Sequence, residues 1–193
     1  MKIIGVNLRL RDRQVHDLET YQRWLRPDAQ WKQFDAPWEP LEPMGDAERI
    51  EWPLRVGLAR SQHPRRALEI EAADGEHLGL VSRYWVDERS QWADTGIVLW
   101  NPERWSQGLG REAFELWVDY LFSSTDWARL GLGTWAGNTR MIRLAQRLGF
   151  QLEATFRQAR VVNGERVDAV RYGMLRSEWQ SMDWIGCSSA RED

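Results

Sequence analysis

Two adjoining stretches near the C-terminal end constrain the fold most. Thr139–Leu148 carries Met141, Leu144, Ala145 and Leu148 at helical spacing, and Gly149-Phe150 follows at once. Glycine there suits a left-handed cap, and the phenylalanine can pack back on the last turn. Next come two long runs, Phe150–Val162 and Glu165–Leu175, on either side of Asn163-Gly164. Asn-Gly is the strongest short hairpin signal, because a tight hairpin turn needs φ > 0 at both of its central residues. A helix running directly into a hairpin is neither a helical bundle nor a β-sandwich. The apolar stripe of the helix has to be buried against a sheet.

The rest of the chain extends this pattern. Val6–Leu10 alternates Val6, Leu8 and Leu10 with Asn7 and Arg9 and reads as a strand. Asp12 is placed to cap a helix over Gln14–Leu25, which Pro27 ends. Asp35–Asp46, with Pro37, Pro40 and Pro43, is a loop, and Ala47–Leu58 is a short helix. Arg66–Ala73 and Glu76–Val86 are strands joined at Asp74-Gly75, and Asp94–Trp100 is a third. Arg111–Phe122 is a helix whose apolar face is Ala113, Phe114, Trp117, Val118 and Leu121, and Arg129–Trp135 is strand-like. This order predicts an α+β (mixed α/β) fold with helices on the faces of one sheet. Residues 1–183 are expected to form a single domain and residues 184–193 a frayed tail.

Composition excludes several classes. With 193 residues and a net charge of −3, from 26 basic and 29 acidic groups, the chain has no polyanion-binding character. No apolar run approaches the ~20 residues of a membrane span, and no signal-like segment precedes Arg9. One cysteine, Cys187, allows no internal disulfide. His16, His63 and His77 have no metal-ligand spacing. The expectation is a cytoplasmic protein without a metal, nucleic-acid or membrane partner. The 13 tryptophans suit a core, a pocket or a self-association surface such as a homodimer.

Trp105-Ser106-Gln107-Gly108-Leu109-Gly110-Arg111-Glu112-Ala113 lies between a strand and an amphipathic helix. Glycines let backbone N–H groups approach a ligand, and a helix N-terminus adds unpaired donors and partial positive charge. The segment therefore serves either as a tight turn or as a pyrophosphate site. It lacks the Gly-Lys-Ser/Thr of a Walker A loop. As a dinucleotide fingerprint it is displaced from its strand by Asn101–Gln107, and the next strand ends without an acid at Trp135-Ala136.

A second segment, Trp135-Ala136-Gly137-Asn138-Thr139-Arg140 through Gly149-Phe150, runs from strand to helix to strand. Together the two motifs resemble the GNAT superfamily of acyl-CoA-dependent N-acyltransferases. Trp105, Glu112-Ala113 and the ending Asp168…Tyr172…Glu178-Trp179 are similar to its ribosomal-protein N-terminal acetyltransferase branch. The resemblance covers roughly Arg66–Trp179. It implies a central mixed, mostly antiparallel sheet in which a splayed strand pair forms a cleft for acetyl-CoA, the co-substrate. Backbone amides of Gln107, Gly108, Leu109, Gly110 and Arg111 would hold the pyrophosphate. The strand Ile97–Trp100, with Val98, Leu99 and Trp100, would pair with the pantetheine arm. Asn138 would contact the cofactor, unless it serves only as a helix cap. Arg140, Arg143 and Arg147 share a helical face, with Arg143 the residue expected at the CoA phosphates or, alternatively, in a solvated stripe.

The implied reaction is direct attack by an amine, in a ternary complex, on the acetyl thioester. About a tenth of a peptide α-amine is neutral at pH 7, and far less of a lysine-like amine, so a base matters. Asp94 is the candidate base and Glu69 a weaker one. The helix positions that carry a Tyr or Ser in many relatives of this type are Ala145 and Met141 here. The expected proton source is therefore water, with catalysis by proximity, or a hydroxyl elsewhere, with Tyr172 as the candidate and Tyr84 and Ser82 as further hydroxyls. Trp24, Trp31, Trp38 and Trp52 with Asp35, Glu39 and Glu42 would wall the acceptor side, which suits a cationic amine or a peptide N-terminus. A CoA-binding sensor without turnover and a dinucleotide-binding enzyme are the alternative readings.

Overall fold

The computed structural model describes residues 1–182 and the backbone of 191–192. The predicted tail and Cys187 lie outside the described residues, 191–192 excepted. The strands are β1 (Lys2–Ile4), β2 (Leu8–Arg11), β3 (Ala67–Ala72), β4 (His77–Asp87), β5 (Trp92–Leu99), β6 (Arg129–Trp135), β7 (Gln151–Val162), β8 (Glu165–Leu175) and β9 (Arg191–Glu192). They form one sheet in the order β7-β8-β6-β5-β4-β3-β2-β1-β9. Every strand pairing is antiparallel except β5 with β6, which is parallel.

Side-chain alternation along the strands sorts two apolar layers. Leu8, Leu10, Leu68, Ile70, Val81, Ala93, Leu130, Leu132, Val170, Tyr172 and Met174 point to one face. There they meet α3 (Leu109–Ser124) and α4 (Thr139–Arg147). On the other face Tyr21 of α1 (Leu18–Trp24) and Trp52 and Val56 of α2 (Asp46–Ser61) pack with Trp31 and Trp100. A short helix, α5 (Arg176–Gln180), follows β8. The tryptophans thus divide. Trp31, Trp52, Trp100, Trp117 and Trp127 are core residues, whereas Trp105 and Trp135 stand at the ends of β5 and β6.

The turn chemistry is as the residues require. Gly149 takes φ +80 after α4, and Asn163 and Gly164 take +51 and +83 between β7 and β8. The N-terminal segment departs from the sequence reading. Instead of one strand over Val6–Leu10, two short strands flank an exposed turn at Val6. That turn is held from a distance: Glu112 of α3 accepts from the amides of Val6 (2.6 Å) and Asn7 (2.9 Å). No local pattern reveals a partner so far along the chain. Asp12 is not a helix cap either. Its carboxylate takes the N-terminal ammonium (2.5 Å) and Arg65 Nε (2.7 Å). The helix there is a 3-10 turn, Val15–Asp17, followed by α1.

Below α1 lies a buried ionic network. Asp17 receives both Nη atoms of Arg11 (2.8 and 2.6 Å). Glu69 receives Arg13 Nε (2.6 Å), the Tyr21 hydroxyl (3.0 Å) and His77 Nε2 (2.8 Å). The ligand-type atoms of Asp17, Glu69 and His77 all lie within 4.8 Å of one another. The two carboxylates are already occupied by the arginines, so the cluster reads as a charge-balanced brace between α1 and the sheet. This removes Glu69 as a free base.

Candidate active site

The site begins where β5 and β6 part. They pair only at Ala93 with Leu130 and Asp94 with Gly131, although β5 continues to Leu99 and β6 to Trp135. Beyond Asp94 a wedge opens. Trp100 N–H donates to Leu78 O (2.9 Å), so even-numbered residues of β5 are hydrogen-bonded toward β4. The backbone groups of Ile97 and Leu99 then face the wedge. Of these, the Leu99 carbonyl accepts from Trp105 Nε1 (2.9 Å). Among the three predicted pantetheine contacts this corrects Val98 and Trp100: their backbones serve β4, and their side chains join the α1–α2 layer. Ile97 and Leu99 are the residues with backbone turned into the wedge, the Leu99 carbonyl being taken by Trp105.

At the open end of β5 the glycine turn enters α3. Ser106 and Gly108 adopt φ +62 and +85, and Gly108 is the N-cap. A Cβ at Gly108 would touch nothing within 4 Å, and one at Gly110 would meet only Leu99 Cδ1 at 3.3 Å. Arg111 and Glu112 amides close on Gly108 O (3.0 and 3.1 Å). The Gly108, Leu109 and Gly110 amides come before these bonds. They are donors that a helix start leaves without an intrahelical partner. That arrangement fits an anionic diphosphate. Gln107 donates its side chain to Glu103 O (2.7 Å). Arg111 and Arg143 are exposed, and Arg111 lies 3.8 Å from Glu115.

Across the wedge, Asn138 caps α4 by accepting from Met141 N (3.1 Å), and its Nδ2 donates to Phe34 O (3.0 Å). Trp135 Nε1 donates to the same carbonyl (3.0 Å). The Phe34 ring meets Trp105 edge-on at 5.6 Å, with Arg140 over both rings at 4.5 and 4.4 Å. Phe34 thus ties the end of β5 to the end of β6 on the α1–α2 side. Asn138 thus serves as a cap and a tether, with one of its two Nδ2 hydrogens used by Phe34. Arg140 turns toward Trp105 and does not stand in a row with Arg143.

The predicted base stands at the vertex. Asp94 is 1% exposed, and both of its oxygens accept from Arg171 Nη2 at 2.7 Å. A Cβ at Gly131 opposite would lie 2.3 Å from Asp94 Oδ1, so a side chain there would displace the carboxylate. Burial pushes the Asp94 carboxyl above its ordinary range, although Arg171 opposes this. Tyr84, opposite Asp94 on β4, is also pushed up, first by burial and then by the negative charge of Asp94. Asp35 lies near enough to add to that effect. Its surface is open to solvent, yet the surrounding protein desolvates it enough to raise its carboxyl, with Lys32 opposing. Trp92 supports the guanidiniums of Arg129 and Arg171 at 5.3 and 5.5 Å, and its buried Nε1 has no partner among the described residues.

Tyr172 is elsewhere. It follows Arg171 in β8 and therefore points to the opposite face, where it is 4% exposed in the α3–α4 core. Its hydroxyl lies 3.4 Å from Gln146 Nε2. The sheet separates it from Asp94, so the two predicted catalytic groups do not form a pair. Trp31 and Trp52 are core residues and not acceptor walls. Trp38 is half-buried under Arg160 of the β7–β8 hairpin, 4.7 Å from its ring centroid. Sequence reasoning missed Arg171, Trp92, Phe34 and Gly131. The alternating glycines Gly131 and Gly133 in one strand were the available signal for a close approach.

A parallel strand pair that splays beside a helix N-terminus, with a buried carboxylate at the vertex, defines a CoA-dependent acyltransferase type of fold. Residues 7–151 match the family described as Acetyltransferase (GNAT) domain, and the chain belongs to that family. It is 27% identical over 107 residues to "Putative ribosomal N-acetyltransferase YdaF" of Bacillus subtilis, a match covering 55% of this chain and 58% of that protein. It is 26% identical over 167 residues to the spermidine N(1)-acetyltransferase of Escherichia coli K12, covering 86% of this chain and 82% of that one. The structure of spermidine N-acetyltransferase from Vibrio cholerae in complex with CoA and spermine superposes with a TM-score of 0.72 at 21% identity, over 92% of this chain and 100% of that one. At that identity the likeness is one of fold.

Proposed function

We propose that this protein transfers the acetyl group of acetyl-CoA to a primary amine of a small polycationic acceptor, by direct attack in a ternary complex. The observation that carries this reading is the buried Asp94 carboxylate at the splay vertex, on the opposite side of the sheet from α3 and its amide donors. The two substrates can then approach from opposite faces. Asp35 and Trp38 on the acceptor side suit an ammonium-bearing chain, and the similarity to a spermidine acetyltransferase supports it. A peptide N-terminus is the second reading, supported by the similarity to the ribosomal N-acetyltransferase. No helix among the described residues is long and apolar enough to cross a membrane, and the proposed setting is the cytoplasm.

The amides of Gly108, Leu109 and Gly110 would hold the pyrophosphate, and the Ile97 backbone the pantetheine arm. The thioester supplies an activated acetyl group. Asp94 takes the proton of the incoming ammonium, directly or through a water. Arg171 fixes the carboxylate's orientation. Tyr84 stays protonated and shares the acceptor face with Asp94, so the donor role expected of Tyr172 passes to Tyr84. Positioning two reactants across a narrow wedge provides much of the rate.

The test is thioester consumption with a panel of spermidine, monoamines and short peptides, beside calorimetric titration of acetyl-CoA. Saturable binding with turnover favouring the polyamine is expected. Turnover restricted to peptides would install the second reading. No binding up to millimolar acetyl-CoA would overturn both.

A further inference from the structure

Arg171 holds more donors than its ion pair with Asp94 uses. It stands in β8 opposite Gly133 of β6, and its side chain crosses β6 to reach Asp94 of β5. Its head group therefore lies over the gap where β5 and β6 part. A guanidinium carries five N–H donors. Nη2 alone serves both oxygens of Asp94, at 2.7 Å each. Among the described residues no hydrogen bond takes up Nη1 or Nε, and the side chain keeps 28% of its surface open. The Trp92 ring supports the guanidinium at 5.5 Å.

The unused edge has a direction. A Cβ at Gly131 would lie 2.3 Å from Asp94 Oδ1, and one at Gly133 would lie 4.0 Å from Arg171 Nη1. The two positions share one face of β6. Nη2 is thus at the vertex, and Nη1 is one pleat nearer the open end. On parallel strands rising ~3.3 Å per residue, Gly133 stands about 7 Å beyond the vertex pair and Ile97 about 10 Å. Nη1 and the Ile97 amide therefore lie at nearly the same depth in the wedge. On the acetyl-transfer reading above, on which this rests, we propose that Arg171 Nη1 and the Ile97 amide together hold the thioester oxygen as it becomes an oxyanion. Asp94 has taken the first proton of the ammonium. The lone pair of the neutral amine then forms the C–N bond, and the carbonyl π pair moves onto the oxygen. Donors already aimed there need not reorganise as the charge grows. Collapse restores the C=O and breaks the C–S bond, whose electron pair leaves on sulfur. The second proton lost by the nitrogen balances the one that the thiolate takes up.

A double-mutant cycle separates this role from the orientation of Asp94. Initial rates at saturating acetyl-CoA and the best amine of the panel are measured for the wild type, Asp94→Asn, Arg171→Gln, and Asp94→Asn combined with Arg171→Gln. A residue that acts only through the carboxylate adds nothing once the carboxylate is gone. An oxyanion donor keeps its effect, so kcat of the double variant should lie at least ~10-fold below that of Asp94→Asn. The acetyl-CoA dissociation constant, measured by calorimetry, should be unchanged, because the interaction forms only in the transition state. Where Arg171→Gln does not bind acetyl-CoA, Arg171→Lys in the Asp94→Asn background replaces it, with a smaller fall in kcat expected because the cation is kept. Equal kcat for Asp94→Asn and the double variant overturns the proposal and leaves the acetyl-transfer reading standing. A wild type without turnover of any amine overturns both.

Discussion

Replacing Asp94 with Asn keeps the shape of the side chain and removes its charge at the splay vertex. Two consequences follow, and they differ greatly in size. For stability, burial has raised the folded pKa of Asp94 above its unfolded value. The fold therefore binds that proton more tightly than the unfolded chain does. The benefit is fully present below the ordinary carboxylate pKa and is lost as pH rises through the raised one. At neutral pH the charged Asp94 is a cost that Asn removes. Against this, Arg171 loses its counter-charge. A fully buried partner left alone would cost about 3–5 kcal/mol. Arg171 is 28% exposed and stacked on Trp92, so it can rehydrate, and Asn can still accept one of its bonds. The two terms nearly cancel, to within ~1 kcal/mol, or roughly 2–4 °C in Tm for a chain of this length. For catalysis no such cancellation exists. A general base contributes about 10²–10⁴ in rate, and kcat/KM for the best amine should fall by at least ~10². The pH profile gives the sharper reading. In the wild type, kcat/KM falls toward acid with the amine alone and then more steeply once Asp94 protonates, at a pH above the usual carboxylate range. In Asp94→Asn the second fall is missing. Initial rates from pH 5 to 9 beside differential scanning calorimetry measure both. Activity within about threefold of wild type would refute the base assignment. A Tm loss above ~10 °C would recast Asp94 as a structural ion pair.

Two further outcomes are expected. Gly131→Ala would set a Cβ 2.3 Å from Asp94 Oδ1, whereas at Gly133 the nearest atom to a Cβ is Arg171 Nη1 at 4.0 Å. The first change should lower kcat/KM at least ~10-fold by displacing the carboxylate, and the second should leave it near wild type. Equal rates for the two variants would show that the carboxylate's position does not matter. Asp17→Asn breaks the buried pair with Arg11. Burial raises the Asp17 carboxyl, but Arg11, the Gln14 amide and His77 outweigh this and hold it below its ordinary range. Its contribution is thus present above the ordinary carboxylate pKa and fades as pH falls through the depressed one. Asp17→Asn should lower stability by about 3 kcal/mol at pH 7, or ~6–12 °C in Tm, with the gap to wild type narrowing below about pH 4. A Tm within ~2 °C at pH 7 would sink this account.

What the chain discloses in advance depends on whether the cause is local. Strands β3 to β8 and helices α3 and α4 are legible within a few residues, because alternation, helical stripes and the turns at Asp74-Gly75, Gly149 and Asn163-Gly164 are set by neighbours in sequence. Gly108 and Gly110 were legible as the turn that enters α3 for the same reason. Features built across the sheet were not. The turn after strand β1 is held by Glu112, more than a hundred residues away. Asp12 has the right residue type for a cap but answers to the N-terminal ammonium and Arg65. Asn138 has the right type for a helix cap and is one, but its tether to Phe34, a hundred residues away, has no local signal. The pairing of Asp94 with Tyr172 failed for a simpler reason: parity in β8 decides which face a side chain meets, and parity turns Arg171, not Tyr172, toward the vertex. Once two strands are placed side by side, that parity can be counted. The catalytic partner of a strand carboxylate should therefore be sought at odd or even positions of the neighbouring strands before residue type is weighed. By that count Arg171 and Tyr84 belong to the site, and Tyr172 belongs to the core.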